Sequence, residues 1–342
     1  MYSKANGLNM KLSIIGSGNW GTTLSILQSK NFNEVYLYSK EGFDIFKDRE
    51  NIKYLPGFKI PQEVTLSASL KECVRNADII IFVVPSVCLR EAVCDVKKYY
   101  EGSIIVSATK GIEETTLLCP SQVIKEEMNN EKLPLVVMSG PNIAREIALG
   151  MPASTVCASE DKKIAYRVQL LFKTSVFRTY RSSDVVGVEL GGALKNIIAI
   201  ACGISDGLGF GTNAKGALIT RGLAEITRLG VKMGANPFTF SGLSGLGDLV
   251  TTAMSRNSRN RFVGEEIGKG RSLDDVLLLM VMVAEGVYTT RSAVRLSRKW
   301  KVDMPITEEV YKILFQSESP KEGIRSLMER DLKQETWGIY EK

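Results

Sequence analysis

The stretch KLSIIGSGNWG, residues 11–21, decides the fold of the first half of the chain. It opens with an apolar run typical of a β-strand, and a helix-type segment begins at Thr22. Strand, GxGxxG and helix in this order are the setting of a dinucleotide-binding turn. There Gly16 permits the tight bend, Gly18 lets the backbone approach a pyrophosphate, and Gly21 lets the helix pack on the strand. A GxGxxG is a weak signal by itself, so an ordinary glycine-rich turn stays an alternative.

Apolar runs alternate with helix-type segments after this stretch. Continuous apolar runs are typical of parallel strands that are buried on both faces, and their alternation with helices indicates a doubly wound sheet. We therefore predict an α/β, Rossmann-like dinucleotide-binding domain over residues 1–182. Strands are predicted at residues 11–15, 34–38, 78–84, 103–108, 135–138, 154–158 and 176–180, a loop at 51–57, and helices at 22–29, 87–100, 119–129 and 162–172.

Strand-type runs stop near Ser182, and only helix-type segments follow. We predict an all-α domain over residues 183–342 that binds the substrate. Its helices are predicted at residues 184–204, 214–229, 246–254, 260–268, 272–279, 283–299, 307–316 and 324–332.

The composition limits the chemistry, because the 342 residues include no histidine. This excludes a Ser-His-Asp hydrolase, a Cys-His protease and a histidine-ligated zinc site. Proton transfer then falls to Lys, Asp, Glu, Tyr or Cys. The six cysteines form no CxxC pair, so we expect small core residues in a reducing compartment and no metal. The net charge of +6 suits an anionic small molecule and is weak evidence for nucleic acid.

The sequence predicts a cytoplasmic protein. The first ten residues are expected to form a short leader, and they lack the apolar segment of a signal peptide. Residues 187–204 are nearly long enough to span a bilayer, but Glu189, Lys195 and the glycine pairs argue against insertion.

The same stretch, GVELGGALKNIIAIACGI, carries one lysine, Lys195. Its helical neighbours Gly191, Ala199 and Cys202 are small, so we expect a hollow beside a half-buried amine that could receive a substrate. Burial lowers the pKa of a lysine and makes it a usable acid–base near neutral pH. The alternative is a core helix whose lysine bends to an ion pair.

Two further features, Lys110 and an arginine-rich run, are candidates to converge with Lys195. Lys110 follows a predicted buried strand. Asp248, a lone carboxylate in the glycine-rich turn GLSGLGD, could bind sugar-like hydroxyls or orient a lysine. The run SRNSRNR, residues 255–261, offers several donors of the kind that bind a phosphate monoester. Alternatives stay open: a surface lysine, a helix N-cap for Asp248, and a solvated loop or a nucleic-acid contact for the arginines.

The end of the second predicted strand bears on cofactor choice. An NAD site usually has an Asp or Glu there to hold the ribose diol, but this chain has Tyr38, Ser39 and Lys40. A lysine favours tolerance of a 2′-phosphate, so NADPH is expected to serve at least as well as NADH. A solvated lysine is the alternative.

Taken together, these segments resemble the NAD(P)-dependent glycerol-3-phosphate dehydrogenase family in its bacterial form. The resemblance runs nearly end to end. Its motifs are GSGNWGT at residues 16–22, NIKYLPG at 51–57, VVPS at 83–86, ATKGIE at 108–113, SGP at 139–141, GVELGGALKNIIAIACGISDGLGFGTNAKGALITRG at 187–222, GLSGLGDLV at 242–250, SRNR at 258–261, AEGVYT at 284–289 and MPI at 304–306.

The resemblance implies reversible oxidation of sn-glycerol 3-phosphate to dihydroxyacetone phosphate with NADPH or NADH, NADPH being slightly favoured, and a role in glycerophospholipid synthesis. It implies that Lys195 is the proton acceptor in oxidation and the donor in ketone reduction, and that Lys110 assists. The implied substrate contacts are Lys110, Gly140, Asn142, Asp248, Ser258, Arg259 and Asn260. The implied cofactor contacts are Gly16, Gly18, Asn19, Trp20, Gly21, Lys40, Lys110, Ala144, Arg259, Val283 and Glu285.

The sequence departs from the family pattern at Asn142, where Ser or Thr is usual, so the contacts there are open. The partner is a small phosphorylated substrate; no nucleic acid is expected, and a homodimer is left open. Two other functions remain: a lysine-based dehydrogenase acting on a hydroxy acid such as 6-phosphogluconate, and a Rossmann-like binding protein without turnover.

Overall fold

The computed structural model describes residues 9–335, so most of the predicted leader at residues 1–10 lies outside the described residues. The chain forms two compact units. The first unit contains the residues up to Thr109 together with Pro120–Val185, and the second contains Lys110–Cys119 and the chain from Val186 onward. The division after Val185 lies three residues beyond the predicted boundary near residue 182.

The first unit is built on a sheet whose strands lie in the order β10-β9-β8-β7-β6-β1-β2-β5. From β1 the chain adds β2 and β5 on one side, and it then returns to add β6 and the later strands on the other side. This switch in strand order between β1 and β6 creates the crevice where open α/β sheets bind ligands. The strands are β1 Lys11–Ile15, β2 Glu34–Tyr38, β5 Val64–Ser67, β6 Ile79–Phe82, β7 Ile104–Ser107, β8 Leu135–Ser139, β9 Ala153–Ala158 and β10 Phe177–Ser182, and a separate hairpin pairs β3 Phe46–Lys47 with β4 Glu50–Asn51.

The sheet is mainly parallel, as the apolar runs predict. Residues on both faces of β6, β7 and β8 are buried, which explains why these strands are continuously apolar. One pair differs: β8 and β9 are antiparallel. The edge strand β5 and the β3–β4 hairpin are missed by the sequence prediction, since each is too short to give a clear pattern. The helices of this unit are α1 Asn19–Gln28, α2 Leu70–Val74, α3 Leu89–Lys97 after a 3₁₀ turn at Ser86–Cys88, α4 Pro120–Met128, α5 Ala144–Ala148 and α6 Lys162–Phe172.

All regular secondary structure in the described part of the second unit is helical, as predicted. Its core gathers apolar side chains from most of its helices around α7. The helices are α7 Val185–Gly207, α8 Thr212–Lys232, α9 Pro237–Phe240, α10 Asp248–Met254 after a π-helical turn at Leu243–Gly247, α11 Arg259–Gly268, α12 Leu273–Leu278, α13 Glu285–Trp300, α14 Pro305–Phe315 and α15 Pro320–Met328.

The segment Lys110–Cys119 differs from the sequence prediction, which assigned it to the first domain. Ile112 and Cys119 are buried in the apolar core of the helical unit, and Ser292 of α13 donates a hydrogen bond to the Ile112 carbonyl at 3.0 Å. Because its side chains pack there, the segment belongs to the second unit, and it brings Lys110 with it.

Helix α7 is long and apolar enough to cross a membrane, but 89% of its apolar window is buried inside the protein. A helix that is apolar on all sides is expected in the core of a large domain. Its apolar surface is therefore already covered by other parts of the chain.

Candidate active site

The glycine-rich turn after β1 has the conformation that its sequence predicts. Gly16 has a φ of +117°, and a Cβ atom there would lie 2.5 Å from the Val83 carbonyl oxygen. A Cβ on Gly21 would lie 1.9 Å from the Gly16 carbonyl oxygen. Neither contact is tolerable for a side chain, so both positions require glycine.

The remaining glycine of the turn, Gly18, faces open space. Gly18 is the N-cap of α1, and no described atom lies within 4 Å of where its Cβ would be. The Asn19 Oδ1 atom is buried and has no hydrogen-bond partner among residues 9–335. An open helix N-terminus beside an unsatisfied polar atom suits an anion, so these residues fit the pyrophosphate of a dinucleotide.

A residue that the sequence analysis did not single out holds this turn in place. The Asn51 amide nitrogen donates to the Ser17 carbonyl at 2.7 Å and to the Thr22 hydroxyl at 2.8 Å, and Asn51 is fully buried. Asn51 opens the NIKYLPG motif, but no role could be predicted for it, because its partners lie 34 and 29 residues away in the chain.

Three other predicted site residues lie beyond β8 in the first unit. A Cβ on Gly140 would lie 2.9 Å from the Ser154 carbonyl oxygen, and the Asn142 amide nitrogen donates to that same carbonyl at 2.9 Å. The carbonyl of Ala144 accepts a hydrogen bond from Thr23 of α1 at 3.3 Å. The structure therefore ties Ala144 to the helix that follows the glycine-rich turn, and gives Asn142 a bracing contact.

Of two more predicted cofactor residues, Trp20 lies in the first turn of α1 and Lys40 lies just after β2. The rings of Trp20 and Phe177 pack with centroids 6.1 Å apart. Lys40 is exposed, and its ammonium lies 2.7 Å from the carboxylate of Glu91. Lys40, the cation expected to bind a 2′-phosphate, thus already forms an ion pair with Glu91.

The second unit holds a buried charge cluster centred on Asp248. Lys195 donates to Asp248 Oδ1 at 2.8 Å, and Lys110 donates to Asp248 Oδ2 at 2.6 Å. The Thr252 hydroxyl accepts from Lys195 at 2.5 Å. Lys195 and Asp248 side chains are only 7% and 3% exposed, whereas Lys110 is 21% exposed.

The electrostatics of this cluster prepare Lys195 for proton transfer. Burial lowers the pKa of Lys195 to about 8, the Asp248 carboxylate opposes that change, and the Lys110 charge adds to it. A lysine with a pKa near 8 exchanges its proton readily near neutral pH. Since an ammonium has three donors, Asp248 and Thr252 use two, and one remains among the described contacts.

The prediction of a hollow beside Lys195 is wrong on the side of Gly191, where backbone fills the space. A Cβ on Gly191 would lie 2.7 Å from the Ser244 carbonyl oxygen. The missing side chain admits the backbone of the π-helical turn Leu243–Gly247, which leads directly into Asp248. The small residue therefore serves a close backbone approach that brings Asp248 to the lysine.

Helix α11 also packs closely against α7 through glycines that let the two backbones approach each other. A Cβ on Gly203 would lie 2.0 Å from the Arg261 carbonyl oxygen, and a Cβ on Gly264 would lie 2.0 Å from the Ile200 carbonyl oxygen. Glycines on both helices allow backbone contact. The arginine-rich run at the start of α11 is thereby placed beside the lysine helix.

The side chains at the start of α11 differ in accessibility. Asn260 is buried; its amide nitrogen donates to Asn196 Oδ1 at 2.9 Å, and its Oδ1 accepts from the Gly286 amide at 2.9 Å. Arg259 is exposed and donates to the Val283 carbonyl at 2.7 Å. Ser258 caps α11 by accepting from the Arg261 amide.

Both units match known sequences. Residues 11–165 match the N-terminal family model, and residues 184–325 the C-terminal family model, of NAD-dependent glycerol-3-phosphate dehydrogenase. The chain belongs to this family.

Relatives of the family resemble the chain over almost its whole length. Glycerol-3-phosphate dehydrogenase (NAD(P)+) of Citrifermentans bemidjiense is 49% identical over 330 residues, which cover 95% of this chain and 98% of that protein. The protein of the same name from a Thermoanaerobacter species is 49% identical over 334 residues, covering 96% and 100%. The crystal structure of glycerol-3-phosphate dehydrogenase from Coxiella burnetii superimposes with a TM-score of 0.90 at 34% identity, covering 94% of this chain and 99% of that one.

Within this member of the glycerol-3-phosphate dehydrogenase family, the structure brings Lys110, Lys195 and Asp248 together, as the sequence predicts. Thr252 and Asn196 were missed. Thr252 lies one helical turn after Asp248, so the i, i+4 spacing was a usable signal. Glu285 begins α13, close to Val283 in the chain.

Proposed function

We propose that this protein interconverts sn-glycerol 3-phosphate and dihydroxyacetone phosphate, with the first unit binding the dinucleotide and the second unit binding the three-carbon phosphate. The observation that carries the proposal is the buried cluster in which Lys195 is fixed by Asp248 and Thr252 and retains one donor. Family membership and the glycine-rich turn support the choice of cofactor.

Lys195 is the proton donor in ketone reduction and the acceptor in alcohol oxidation. The nicotinamide cofactor supplies the hydride in reduction and takes it back in oxidation. As the carbonyl oxygen gains negative charge, it accepts a hydrogen bond from the remaining N–H of Lys195, and that proton is transferred to it. The hydrogen bonds to Asp248 and Thr252 fix the Nζ atom, so little reorganisation is needed.

Lys110 and Asp248 set the charge around this amine. Lys110 adds positive charge near the developing oxyanion, which stabilises the transition state. Asp248 binds both lysines and holds them side by side within one buried site. Opposite charges that are paired in this way avoid the large cost of an isolated buried charge.

The phosphate is bound by the donors at the start of α11. Arg259 has five N–H donors, and one is used by the Val283 carbonyl, so the exposed guanidinium retains others for a phosphate. Asn260, anchored by Asn196 and Gly286, supports that position from behind. Binding energy from the phosphate then orients the reacting carbon.

Lys40 supports the use of NADPH as well as NADH, because it offers a cation at the end of β2. We further propose a cytoplasmic protein without membrane insertion and without a metal cofactor. It feeds glycerol 3-phosphate to glycerophospholipid synthesis. The burial of α7 supports the absence of membrane insertion.

The test is oxidation of NADPH or NADH in the presence of dihydroxyacetone phosphate. We expect turnover with the wild type and a loss on the order of a thousandfold in kcat for Lys195→Met, which removes the proton donor. Lys269→Met is the matched control, since Lys269 is an exposed lysine paired with Glu265 and Glu266. Near-normal kcat in Lys195→Met would remove this lysine from the mechanism.

Three further measurements separate the alternatives. Arg259→Ala is expected to raise KM for the triose phosphate strongly with a smaller change in kcat; a change confined to the apparent affinity for the cofactor would contradict the phosphate assignment. Turnover with 6-phosphogluconate in place of glycerol 3-phosphate would identify the hydroxy-acid dehydrogenase instead. Binding of the dinucleotide with no turnover of any phosphorylated substrate would identify a binding protein.

A further inference from the structure

The position of Lys40 is fixed relative to the glycine-rich turn by backbone hydrogen bonds. The Gly16 amide donates to the Tyr38 carbonyl at 3.3 Å, and the Ser39 amide donates to the Ser67 carbonyl at 3.0 Å. The Gly42 amide closes a turn by donating to the Ser39 carbonyl at 3.2 Å. Lys40 therefore starts from a well-defined point at the carboxyl end of β2, where Rossmann folds recognise the adenosine ribose.

Glu91 reaches the same point from another element. It lies in the first turn of α3, which follows β6, and β6 and β2 pair with β1 on opposite sides. Its carboxylate lies 2.7 Å from the Lys40 ammonium, and the two side chains are 63% and 69% exposed. The acidic residue next to Lys40 in the chain, Glu41, contacts Lys53 and Tyr54 instead. Glu91 therefore supplies the carboxylate that pairs with Lys40, from across the crevice.

We propose that Glu91 is a specificity-determining residue that reduces the preference for NADPH over NADH by neutralising Lys40. The inference rests on the proposed function. A 2′-phosphate carries close to two negative charges at neutral pH, so it is attracted by Lys40 and repelled by Glu91. The 2′-hydroxyl of NADH carries no charge and responds weakly to either. With the pair intact, the local net charge is near zero and both cofactors are accepted.

Substitution of Glu91 gives a signed prediction. Glu91→Gln keeps the shape of the side chain but leaves Lys40 with its full charge, so affinity for NADPH rises while affinity for NADH stays the same. Exposed charge pairs contribute modestly, so the ratio of the two affinities is expected to rise by about three- to tenfold at low salt. The change shrinks in about 1 M salt, where charges are screened within roughly 3 Å.

The experiment is equilibrium titration of the full-length protein with NADPH and with NADH, without substrate, followed by nucleotide fluorescence. Asp95→Asn is the matched control, because Asp95 lies one turn further along α3 and pairs with Lys98. It removes the same charge from the same helix and is expected to change the ratio by less than half as much. In a Lys40→Gln background, Glu91→Gln is expected to lose most of its effect.

The outcomes are separable. An unchanged ratio in Glu91→Gln, or an equal rise in Asp95→Asn, overturns the role of Glu91 while leaving the proposed function intact. If Glu91→Gln fails to fold, Glu91→Ala replaces it: a raised ratio supports the role of Glu91, and an unchanged ratio overturns it. A wild type that binds neither nucleotide contradicts the proposed function itself.

Discussion

Asp248→Asn is the substitution that most directly tests how the buried cluster works. It preserves the shape of the side chain, and the amide oxygen still accepts a hydrogen bond. It removes the negative charge that lies 2.8 Å from the Lys195 nitrogen and 2.6 Å from that of Lys110. Asp248 is the influence that raises the pKa of Lys195, against burial and the Lys110 charge, which lower it. Its loss must therefore lower the pKa of Lys195 below about 8.

The size of the effect follows from this geometry. An opposite charge in hydrogen-bond contact moves a pKa by about 1 to 3 pH units, and Lys195 and Asp248 are both buried, so little is lost to screening. In the proposed mechanism Lys195 must be protonated for ketone reduction, so kcat of the wild type is expected to fall as pH rises through about 8. In Asp248→Asn the fall is expected about 1 to 3 pH units lower. If the fall is centred near pH 6, the variant loses about tenfold at pH 7 and recovers on acidification.

The assay is kcat at saturating substrate and cofactor, measured in both directions between about pH 5 and 10. Saturation keeps the titration of the substrate phosphate out of the profile, since kcat reports groups in the complex. In alcohol oxidation the sign reverses: neutral Lys195 is the proposed base, so the rise of kcat with pH is expected to shift to lower pH in the variant. Asp274→Asn, an exposed carboxylate on α12, controls for the change in net charge.

The reasoning is refuted if the reduction profile of Asp248→Asn keeps its midpoint near that of the wild type. A loss of equal size at every pH would also refute it, because a purely structural defect does not recover on acidification. A shift of the same size in Asp274→Asn would assign the effect to net charge.

Two further perturbations test the packing and the buried charges of the second unit. Gly264→Ala puts a Cβ atom 2.0 Å from the Ile200 carbonyl oxygen, so overpacking is expected to cost about 1–3 kcal/mol in urea unfolding; Gly216→Ala, with no described atom within 4 Å of its Cβ, is the control and is expected to stabilise by about 0.5–1 kcal/mol. Burial raises the pKa of Glu225 from 4.5 to about 7, although the Ile306 and Thr307 amides donate to it. Between about pH 4.5 and 7 the folded state therefore binds more protons than the unfolded state. As pH rises through this range, ionisation of Glu225 lowers the free energy of unfolding by up to about 3 kcal/mol. Glu225→Gln removes this dependence, and the difference in Tm between variant and wild type should move in favour of the variant from about pH 5 to 8; a constant difference would contradict the assignment.

The elements with strong local patterns were predictable from the sequence. Strands β1 and β2 and helix α6 have the predicted bounds, because a continuous apolar run or a helical period identifies each without its partners. The glycine-rich turn was predictable for the same reason, since its three glycines carry their steric requirement locally. The short strand β5 was not, because four residues give too little pattern.

The contacts of the candidate site were less accessible from the sequence. Lys195 and Lys110 lie 53 and 138 residues from Asp248, and Lys40 lies 51 residues from Glu91, so spacing alone could not pair them. Gly191 shows a second limit. A small residue beside a lysine either leaves a hollow or admits a backbone, and only the packing of the π-helical turn decides between them.

The arrangement of two lysines on one carboxylate has a chemical consequence for a reversible dehydrogenase. In the proposed mechanism Lys195 gives up its proton in ketone reduction and ceases to be a cation. A buried carboxylate that lost its single cationic partner would cost about 3–5 kcal/mol. Asp248 avoids this because Lys110 still donates to its second oxygen at 2.6 Å, so it keeps a positive partner before and after proton transfer. The charge of the cluster changes from +1 to 0 in reduction and returns in oxidation, and in neither direction is Asp248 left alone. On this argument Lys110→Met should slow turnover in both directions even where substrate is saturating, because the cost falls on the step in which Lys195 is neutral.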